Sequence, residues 1–233
     1  MSALPAPFAF VGRRTVLTRL DRAHRAQRHV LLHAPAGTGK TMLVAEFART
    51  HRLVVAPACH CLGSLLETLE PAAGLAPDGL RMAARVHRLA SRLPEIRQPI
   101  VVDNVARVPP RVAHLLRVLM LRQPVWLLAR SLRPLDLGHV WPYLFLFERI
   151  DLPPFSLEET RAFLSGVDFP GSRRELLQSA LRLHRLAAGH PGTLAALASE
   201  IGRRTYDLRT LEGLRLLALH ARISVVQAQI AAG

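Results

Sequence analysis

The chain of 233 residues carries 31 basic against 17 acidic side chains, a formal net charge of +14, and half of its residues are hydrophobic. That apolar share excludes a disordered chain, and two cysteines are too few for a disulfide framework and typical of a reducing compartment. No apolar run approaches the roughly 18 residues that cross a bilayer, and the N-terminus lacks the features of a secretory signal, so we expect a cytoplasmic globular protein without a membrane span.

Short, continuous apolar runs in the first two thirds of the sequence predict strands that are buried on both faces. These runs lie at 29–33, 53–56, 100–103, 125–129 and 144–150. Amphipathic stretches at 15–26, 40–50, 79–93 and 111–121 predict helices between them. The alternation is typical of an α/β fold with a parallel sheet and right-handed crossovers.

The pattern changes near residue 151. A segment with two prolines, which interrupts regular secondary structure, ends at Ser156. Glu159 follows three residues later, which is the spacing of a capping box at the start of a helix. Helical patterns then occupy 157–165, 173–188, 192–201 and 208–229. The sequence therefore predicts an α/β domain at 1–150 and a smaller all-helical domain at 151–233.

The last predicted helix carries a stripe of leucines that includes Leu214, Leu216, Leu217 and Leu219. Such a stripe forms part of a core or a docking surface, and we favour the core.

A glycine-rich segment follows the first predicted strand and opens a predicted helix. Its glycines allow backbone N–H groups to turn inward around phosphate oxygens, and the helix start adds free N–H donors. The only lysine of the chain, Lys40, would reach the β- and γ-phosphates, and the Thr41 hydroxyl would coordinate Mg²⁺. The segment has the P-loop pattern, with alanine in place of the first glycine, and predicts an ATP/ADP and Mg²⁺ site formed by Ala34, Pro35, Ala36, Gly37, Thr38, Gly39, Lys40 and Thr41. Alanine is tolerated at position 34 only if its φ is not positive.

A second motif is the apolar strand that ends at Asp103. An acid at the carboxyl end of a parallel strand faces the P-loop across the sheet and can hold Mg²⁺ through water, which is the Walker B role. The next residue is Asn104, whose amide cannot act as a general base. We therefore expect slow hydrolysis, or water positioned by another residue.

Several segments together resemble the AAA+-related and STAND ATPases (signal transduction ATPases with numerous domains). They are the N-terminal motif Phe10-Val-Gly-Arg13, the P-loop segment LLHAPAGTGKTMLVAEFA, the strand VWLLARS, the segment IDLPPFSLEET and the motif Ala-Gly-His-Pro-Gly at 188–192. The P-loop segment is especially similar to that of maltose-regulon-activator-type regulators. The chain departs from the pattern at Arg14 and Thr15, where a glutamate is usual, and at Asn104.

The resemblance implies roles for residues outside the P-loop. Arg130 ends the VWLLARS strand as a sensor arginine, and Pro191 packs on the adenine. Further nucleotide contacts come from Val11, Gly12, Arg13 and Met42. The resemblance also implies catalytic roles for Lys40, Asp103, Asn104 and Arg130, and metal-binding roles for Thr41 and Asp103.

The leading hypothesis is an ATP-binding, slowly hydrolysing molecular switch that acts on a protein partner or assembly. An ATP-dependent DNA-associated helper is an alternative because of the basic charge, although thirty arginines against one lysine indicate a compositional bias. A non-hydrolysing, nucleotide-bound scaffold is a third hypothesis, favoured by Asn104.

Overall fold

A computed structural model describes residues 10–76, 79–167 and 173–231. The chain divides into two compact units. The first unit comprises Arg13–Ala36 and Lys40–Leu152, and the second comprises Pro153–Gly233 with Gly37–Gly39 and the described part of Met1–Gly12. The tip of the P-loop thus groups with the helical part of the chain.

The first unit is built on a five-stranded parallel sheet with the order β2-β3-β4-β1-β5. The strands are β1 (Val30–His33), β2 (Val54–Ala56), β3 (Ile100–Val105), β4 (Val125–Ala129) and β5 (Glu148–Asp151). All five residues of β4 are buried, because this strand lies inside the sheet and is covered on both faces. The α/β class and the parallel sheet predicted from the sequence are confirmed.

Helices of the first unit pack on the sheet. They are α1 (Arg14–Arg25), α2 (Lys40–Phe47), α3 (Leu62–Ala72), α4 (Met82–Arg92), α5 (Pro110–Met120) and α6 (Pro134–Leu137). Helix α3 is absent from the sequence predictions, although its buried Leu65, Leu66 and Leu69 follow helical spacing. Four predicted strands and four predicted helices of this unit lie within a few residues of observed elements.

The predicted strand at 144–150 is wrong in its first half. Residues Trp141–Leu146 form a 3₁₀ helix, and β5 begins only at Glu148. Pro142 lies in the first turn of that 3₁₀ helix, where its fixed φ favours a helical start and its missing N–H costs nothing. The apolar composition of the segment therefore did not decide its backbone conformation.

The second unit is helical in its described residues. Its helices are α7 (Leu157–Ser165), α8 (Arg173–Gln178), α9 (Ala180–Ala187), α10 (Pro191–Arg203) and α11 (Leu211–Ala231). Ser156 and Glu159 form the predicted capping box at the start of α7. The single helix predicted at 173–188 is wrong, because a turn at Ser179 separates α8 from α9. Within the described ranges, no helix combines the length and the apolar composition that a bilayer span requires.

One buried carboxylate ties α3 to α4. Glu70 is 3% exposed and accepts hydrogen bonds from Arg85 Nε at 3.0 Å and Arg85 Nη2 at 2.6 Å. Arg88 lies 3.5 Å from the same carboxylate. The Arg85 hydrogen bonds lower the pKa of Glu70 against the opposing effect of burial.

We expect Glu70→Gln to destabilise the fold by about 2–3 kcal/mol, since it leaves two partly buried guanidinium groups without this counter-charge. Because the folded pKa is lowered, the ionised carboxylate stabilises the fold above its unfolded pKa of about 4.3, and this contribution is lost as the pH falls through the folded pKa. Urea unfolding at pH 7 and below pH 4 checks both statements, with the exposed Glu67→Gln on the same helix as control. If Glu70→Gln and Glu67→Gln both had equally small effects on the free energy of unfolding at pH 7, the stabilising role of the Glu70 carboxylate would be contradicted.

Candidate functional site

The glycine-rich loop runs from the end of β1 to the first residue of α2. The Ala34 N–H donates to the Ala129 carbonyl at 3.2 Å, which ties the start of the loop to the end of β4. Gly37 and Gly39 have φ values of 73° and 91°, which L side chains rarely adopt. Ala34 is not among the residues with positive φ, so the condition for alanine at this position holds.

The tip of the loop contacts the start of α10 within the second unit. The Gly192 N–H donates to the Gly37 carbonyl at 2.9 Å, and a Cβ on Gly37 would lie 2.7 Å from the His190 ring. Position 37 therefore requires glycine for its φ and for space. A Cβ on Gly39 would meet no atom within 4 Å, so that glycine is required by its φ alone.

Lys40 is the first residue of α2, and its side chain turns back onto the loop. It is 7% exposed, and its Nζ donates to the Ala34 carbonyl at 2.6 Å and the Pro35 carbonyl at 2.9 Å. Burial lowers the pKa of Lys40, the positive charge of Arg130 lowers it further, and Asp103 opposes this shift. An anion at the loop would relieve the unfavourable environment of this ammonium group.

A short hydrogen bond joins the loop to the acid of β3. The Thr41 hydroxyl donates to Asp103 Oδ2 at 2.6 Å, although the residues are 62 positions apart. The other carboxylate oxygen, Oδ1, accepts the Asn104 N–H at 2.6 Å. A hydroxyl and a carboxylate are the hard oxygen ligands that Mg²⁺ prefers, and Mg²⁺ keeps several waters of its own, so this pair fits a Mg²⁺ site.

The backbone around the acid differs from the prediction. Strand β3 continues to Val105 beyond the predicted end at Asp103, and its pairing with β4 shifts register between Val102 and Val105. Asn104 within this irregularity has a left-handed φ of 49°. Asparagine tolerates this conformation better than most L residues, which gives Asn104 a backbone role that the sequence did not reveal.

Arg130 directly follows β4, which lies between β1 and β3 in the sheet. The carboxyl ends of these three parallel strands therefore place the loop, Arg130 and Asp103 at one edge. Arg130 is exposed and close enough to Lys40 for their charges to repel.

Sequence reasoning missed a polar pair at the same edge. His33, the last residue of β1, hydrogen-bonds through Nδ1 to Asp151 Oδ1 at 2.9 Å, and Arg149 Nη2 donates to that oxygen at 2.8 Å. Burial acts to raise the pKa of Asp151, but the hydrogen bonds from Arg149 and His33 hold it below its usual value. His33 ends a predicted strand and Asp151 directly follows another, and these positions were the available signal.

The remaining predicted contacts lie elsewhere in the two units. Met42 is exposed in the first turn of α2, and Arg13 is buried with a left-handed φ of 63° before α1. In the second unit, Val11 packs against the helical core, Gly12 has a φ of 69° and Pro191 is the first residue of α10. A Cβ on Gly12 would collide with the Glu159 side chain.

No protein-family model and no curated protein matches the sequence. Among solved structures, the chain is similar to an ORC1 protein of Aeropyrum pernix in complex with DNA, at 21% identity over 95% of this chain and 68% of that one, with a TM-score of 0.59. A Walker-type ATPase of Pyrococcus abyssi is similar at 14% identity over 96% and 75% of the chains, with a TM-score of 0.62. The chain has the fold of the AAA+-related P-loop ATPases.

A STAND protein with a tetratricopeptide repeat sensor from Pyrococcus horikoshii shares this AAA+-related fold, at 17% identity and a TM-score of 0.54. The similarity covers 90% of this chain but 32% of the other, so the chain spans about a third of that protein's length. These matches confirm the predicted resemblance at the level of the fold. The finer similarity to maltose-regulon-activator-type regulators stays a prediction.

We expect Asn104→Glu to raise the rate of ATP turnover if the missing acid limits hydrolysis, while ATP affinity stays similar. The same change should destabilise the fold by about 1–2 kcal/mol, since glutamate tolerates the left-handed conformation less well. Phosphate release under saturating ATP and thermal unfolding measure the two effects. Asn104→Gly is the control for the backbone; unchanged turnover in Asn104→Glu would assign the positioning of water to another residue or make a conformational step rate-limiting.

Proposed function

We propose that the chain is an ATP-binding, slowly hydrolysing molecular switch that acts on a protein partner or assembly. The observation that carries the proposal is the hydrogen bond of 2.6 Å from Thr41 to Asp103. It joins the last residue of the P-loop to the acid of another strand, as a shared Mg²⁺ site requires.

Each residue at this edge of the sheet has a distinct part in the proposed chemistry. The backbone N–H groups of the loop and the start of α2 bind phosphate oxygens. Lys40 exchanges its bonds to the Ala34 and Pro35 carbonyls for the β- and γ-phosphates. Thr41 and Asp103 would hold Mg²⁺, which when bound would supply positive charge to neutralise the phosphates.

The slow ATP hydrolysis that we propose follows from Asn104. An amide beside Asp103 cannot accept a proton from the attacking water, so turnover is slow and the ATP-bound state is long-lived. Slow turnover suits a switch, because a signal then lasts as long as the bound state. ATP drives the switch only through a difference in affinity between its two conformations.

The experiment for this proposal measures nucleotide content and steady-state phosphate release of the purified chain, with and without duplex DNA. The switch predicts slow release, and different protease cleavage patterns with ATP and ADP. Identical cleavage patterns with both nucleotides would contradict a switch, and tight retention of ADP without turnover would favour the scaffold.

A DNA-associated helper remains the second candidate because of the net charge of +14 and the similarity to an ORC1 protein solved in complex with DNA. Binding through phosphate contacts would weaken steeply with salt, since counterions are released. Phosphate release that rises on addition of duplex DNA, together with a salt-sensitive DNA mobility shift, would favour this function over the switch.

We expect Arg130→Ala to weaken ATP binding more than ADP binding, because a guanidinium at the strand end would contact the γ-phosphate that ADP lacks. The difference should be about 1–3 kcal/mol if the contact is a charge-assisted hydrogen bond. Pro191→Ala is the comparison. If Pro191 packs on the adenine, which ATP and ADP share, losing that contact would weaken the binding of both nucleotides about equally. Titration of each variant with both nucleotides tests this expectation. If Arg130→Ala lowered the affinities for ATP and ADP by the same factor, the sensor role would be ruled out.

A further inference from the structure

Helix α11 has two apolar faces, of which only one is packed within the described structure. Leu214, Leu217 and Ala221 are at most 9% exposed and belong to the core of the second unit. On the same side, Ser224 Oγ donates to the buried Glu200 at 2.7 Å. The leucine stripe that we assigned to the core is therefore divided, because Leu216 and Leu219 lie outside it.

The other face carries a second apolar row, here called the outer strip. Its five residues are between 44% and 75% exposed: Leu216, Leu219, Ile223, Val226 and Ile230. Their spacing alternates strictly between three and four residues, which is the a/d pattern of a heptad. An ideal helix brings these five side chains within an arc of roughly 80° over a length of about 21 Å.

So narrow a row fits the seam between two helices. A helix that lies on a membrane surface has a broader apolar face, whereas a strict a/d stripe is the narrower coiled-coil contact. A nucleic acid would not cover an apolar row, since it binds through charge and hydrogen bonds. The shape of the outer strip thus favours another amphipathic helix.

The charges beside the outer strip indicate what kind of helix would bind there. With Leu216 at an a position, the g positions carry Arg215, Arg222 and Gln229, and the e positions carry His220 and Gln227. None of these five flanking residues is acidic. Since e and g residues select coiled-coil partners through charge, the flanks favour acidic residues on the opposite helix.

A second copy of this chain does not meet that requirement. In a parallel pair, Arg215 and Arg222 would face His220 and Gln227 of the other copy, which offers no ion pair. In an antiparallel pair, the arginines at g positions would face each other and repel. Self-association through the outer strip is therefore disfavoured.

We propose that the outer strip binds an amphipathic helix of a partner protein, with apolar residues at its a and d positions and acidic residues at e and g. This inference rests on α11 alone and does not depend on nucleotide binding. The partner helix would bury five exposed apolar side chains and pair its acids with Arg215 and Arg222.

The test uses a fluorescent synthetic peptide of about three heptads, with leucine at a and d and glutamate at e and g. Its twin carries lysine in place of each glutamate. We expect the glutamate peptide to bind the full chain at least about tenfold more tightly than the twin, with an affinity that falls as salt rises. Equal binding of the two peptides, or no binding of the glutamate peptide, would overturn the proposal.

Two neighbouring valines provide a matched pair of variants. Val226 lies on the outer strip and is 52% exposed, whereas Val225 lies off it and is 43% exposed. We expect Val226→Glu to weaken binding of the glutamate peptide by about tenfold or more, and Val225→Glu to change it little. If Val226→Glu alters thermal unfolding, the milder Leu219→Gln replaces it. Equal effects on and off the strip would overturn the proposal.

Two further measurements distinguish other occupants. Sedimentation of the wild-type chain that shows dimers lost in Val226→Glu would assign the strip to a second copy. Binding to vesicles of anionic lipid that is lost in the same variant would assign it to a membrane surface. Either result would overturn the proposal, and neither would bear on the nucleotide site.

Discussion

Replacing Lys40 by alanine is expected to weaken ATP binding at least about a hundredfold while the fold stays intact. The ammonium would make charge-assisted hydrogen bonds to two phosphates, which together contribute about 3 kcal/mol or more. The fold should tolerate the loss, because burial and the nearby Arg130 charge already disfavour this cation in the chain alone. The hydrogen bonds from Lys40 to the Ala34 and Pro35 carbonyls offset only part of this unfavourable environment.

Thermal unfolding with and without ATP and Mg²⁺ measures this effect. At a ligand concentration about a hundred times its Kd, binding stabilises the wild type by about 2.7 kcal/mol, which raises Tm by roughly 5–10 °C in a chain of this size. Lys40→Ala should show almost no rise. Arg49→Ala is the control for loss of one positive charge outside the loop, and it should retain the full rise.

Lys40→Arg sharpens the test, because it keeps the charge. The side chain is 7% exposed and held by two loop carbonyls, and a guanidinium is too broad for that position. We expect this variant to lose ATP binding as well. Full binding in Lys40→Arg would mean that charge alone, and not the compact ammonium, is needed at the loop.

Replacing Asp103 by asparagine is expected to abolish the Mg²⁺ dependence of ATP binding and to slow turnover by about a hundredfold or more. The side chain keeps its size but loses the negative charge that would hold the metal in the proposed site, and a bound metal contributes several kcal/mol to phosphoryl transfer. Asparagine can still accept one of the hydrogen bonds that Thr41 and Asn104 donate to this carboxylate. The fold should therefore be little affected.

Titration of Mg²⁺ at fixed ATP, followed by phosphate release, separates the metal role from a structural one. Asp151→Asn is the matched control, since Asp151 also lies at the carboxyl end of a strand of this sheet. It should leave the Mg²⁺ dependence unchanged. The metal role of Asp103 would be excluded if Asp103→Asn and the wild type required the same Mg²⁺ concentration.

The sequence predicts β1, β3 and β4 well because strands buried on both faces are short, continuous and apolar. It also predicts that the loop follows β1 and that Asp103 lies on another strand of the same sheet. The 2.6 Å contact between Thr41 and Asp103 was beyond sequence reasoning, since it depends on the strand order.

Other features depend on backbone geometry that residue type alone does not fix. The left-handed Asn104 lies in a shift of strand register, which no local pattern marks. The break at Ser179 interrupts an otherwise helical pattern without a glycine or a proline. The leucines of α11 could not be divided between core and surface from spacing alone, because both faces of that helix are apolar.

We expect ATP with Mg²⁺ to bind at the loop of residues 34–41. Isothermal titration of nucleotide-free chain with ATP and Mg²⁺ tests it most directly, with Lys40→Ala titrated in parallel. The expected result is one binding site per wild-type chain that requires Mg²⁺ for full affinity, and at least about a hundredfold weaker binding in the variant. No binding to the wild type, or equal binding to both chains, would contradict it.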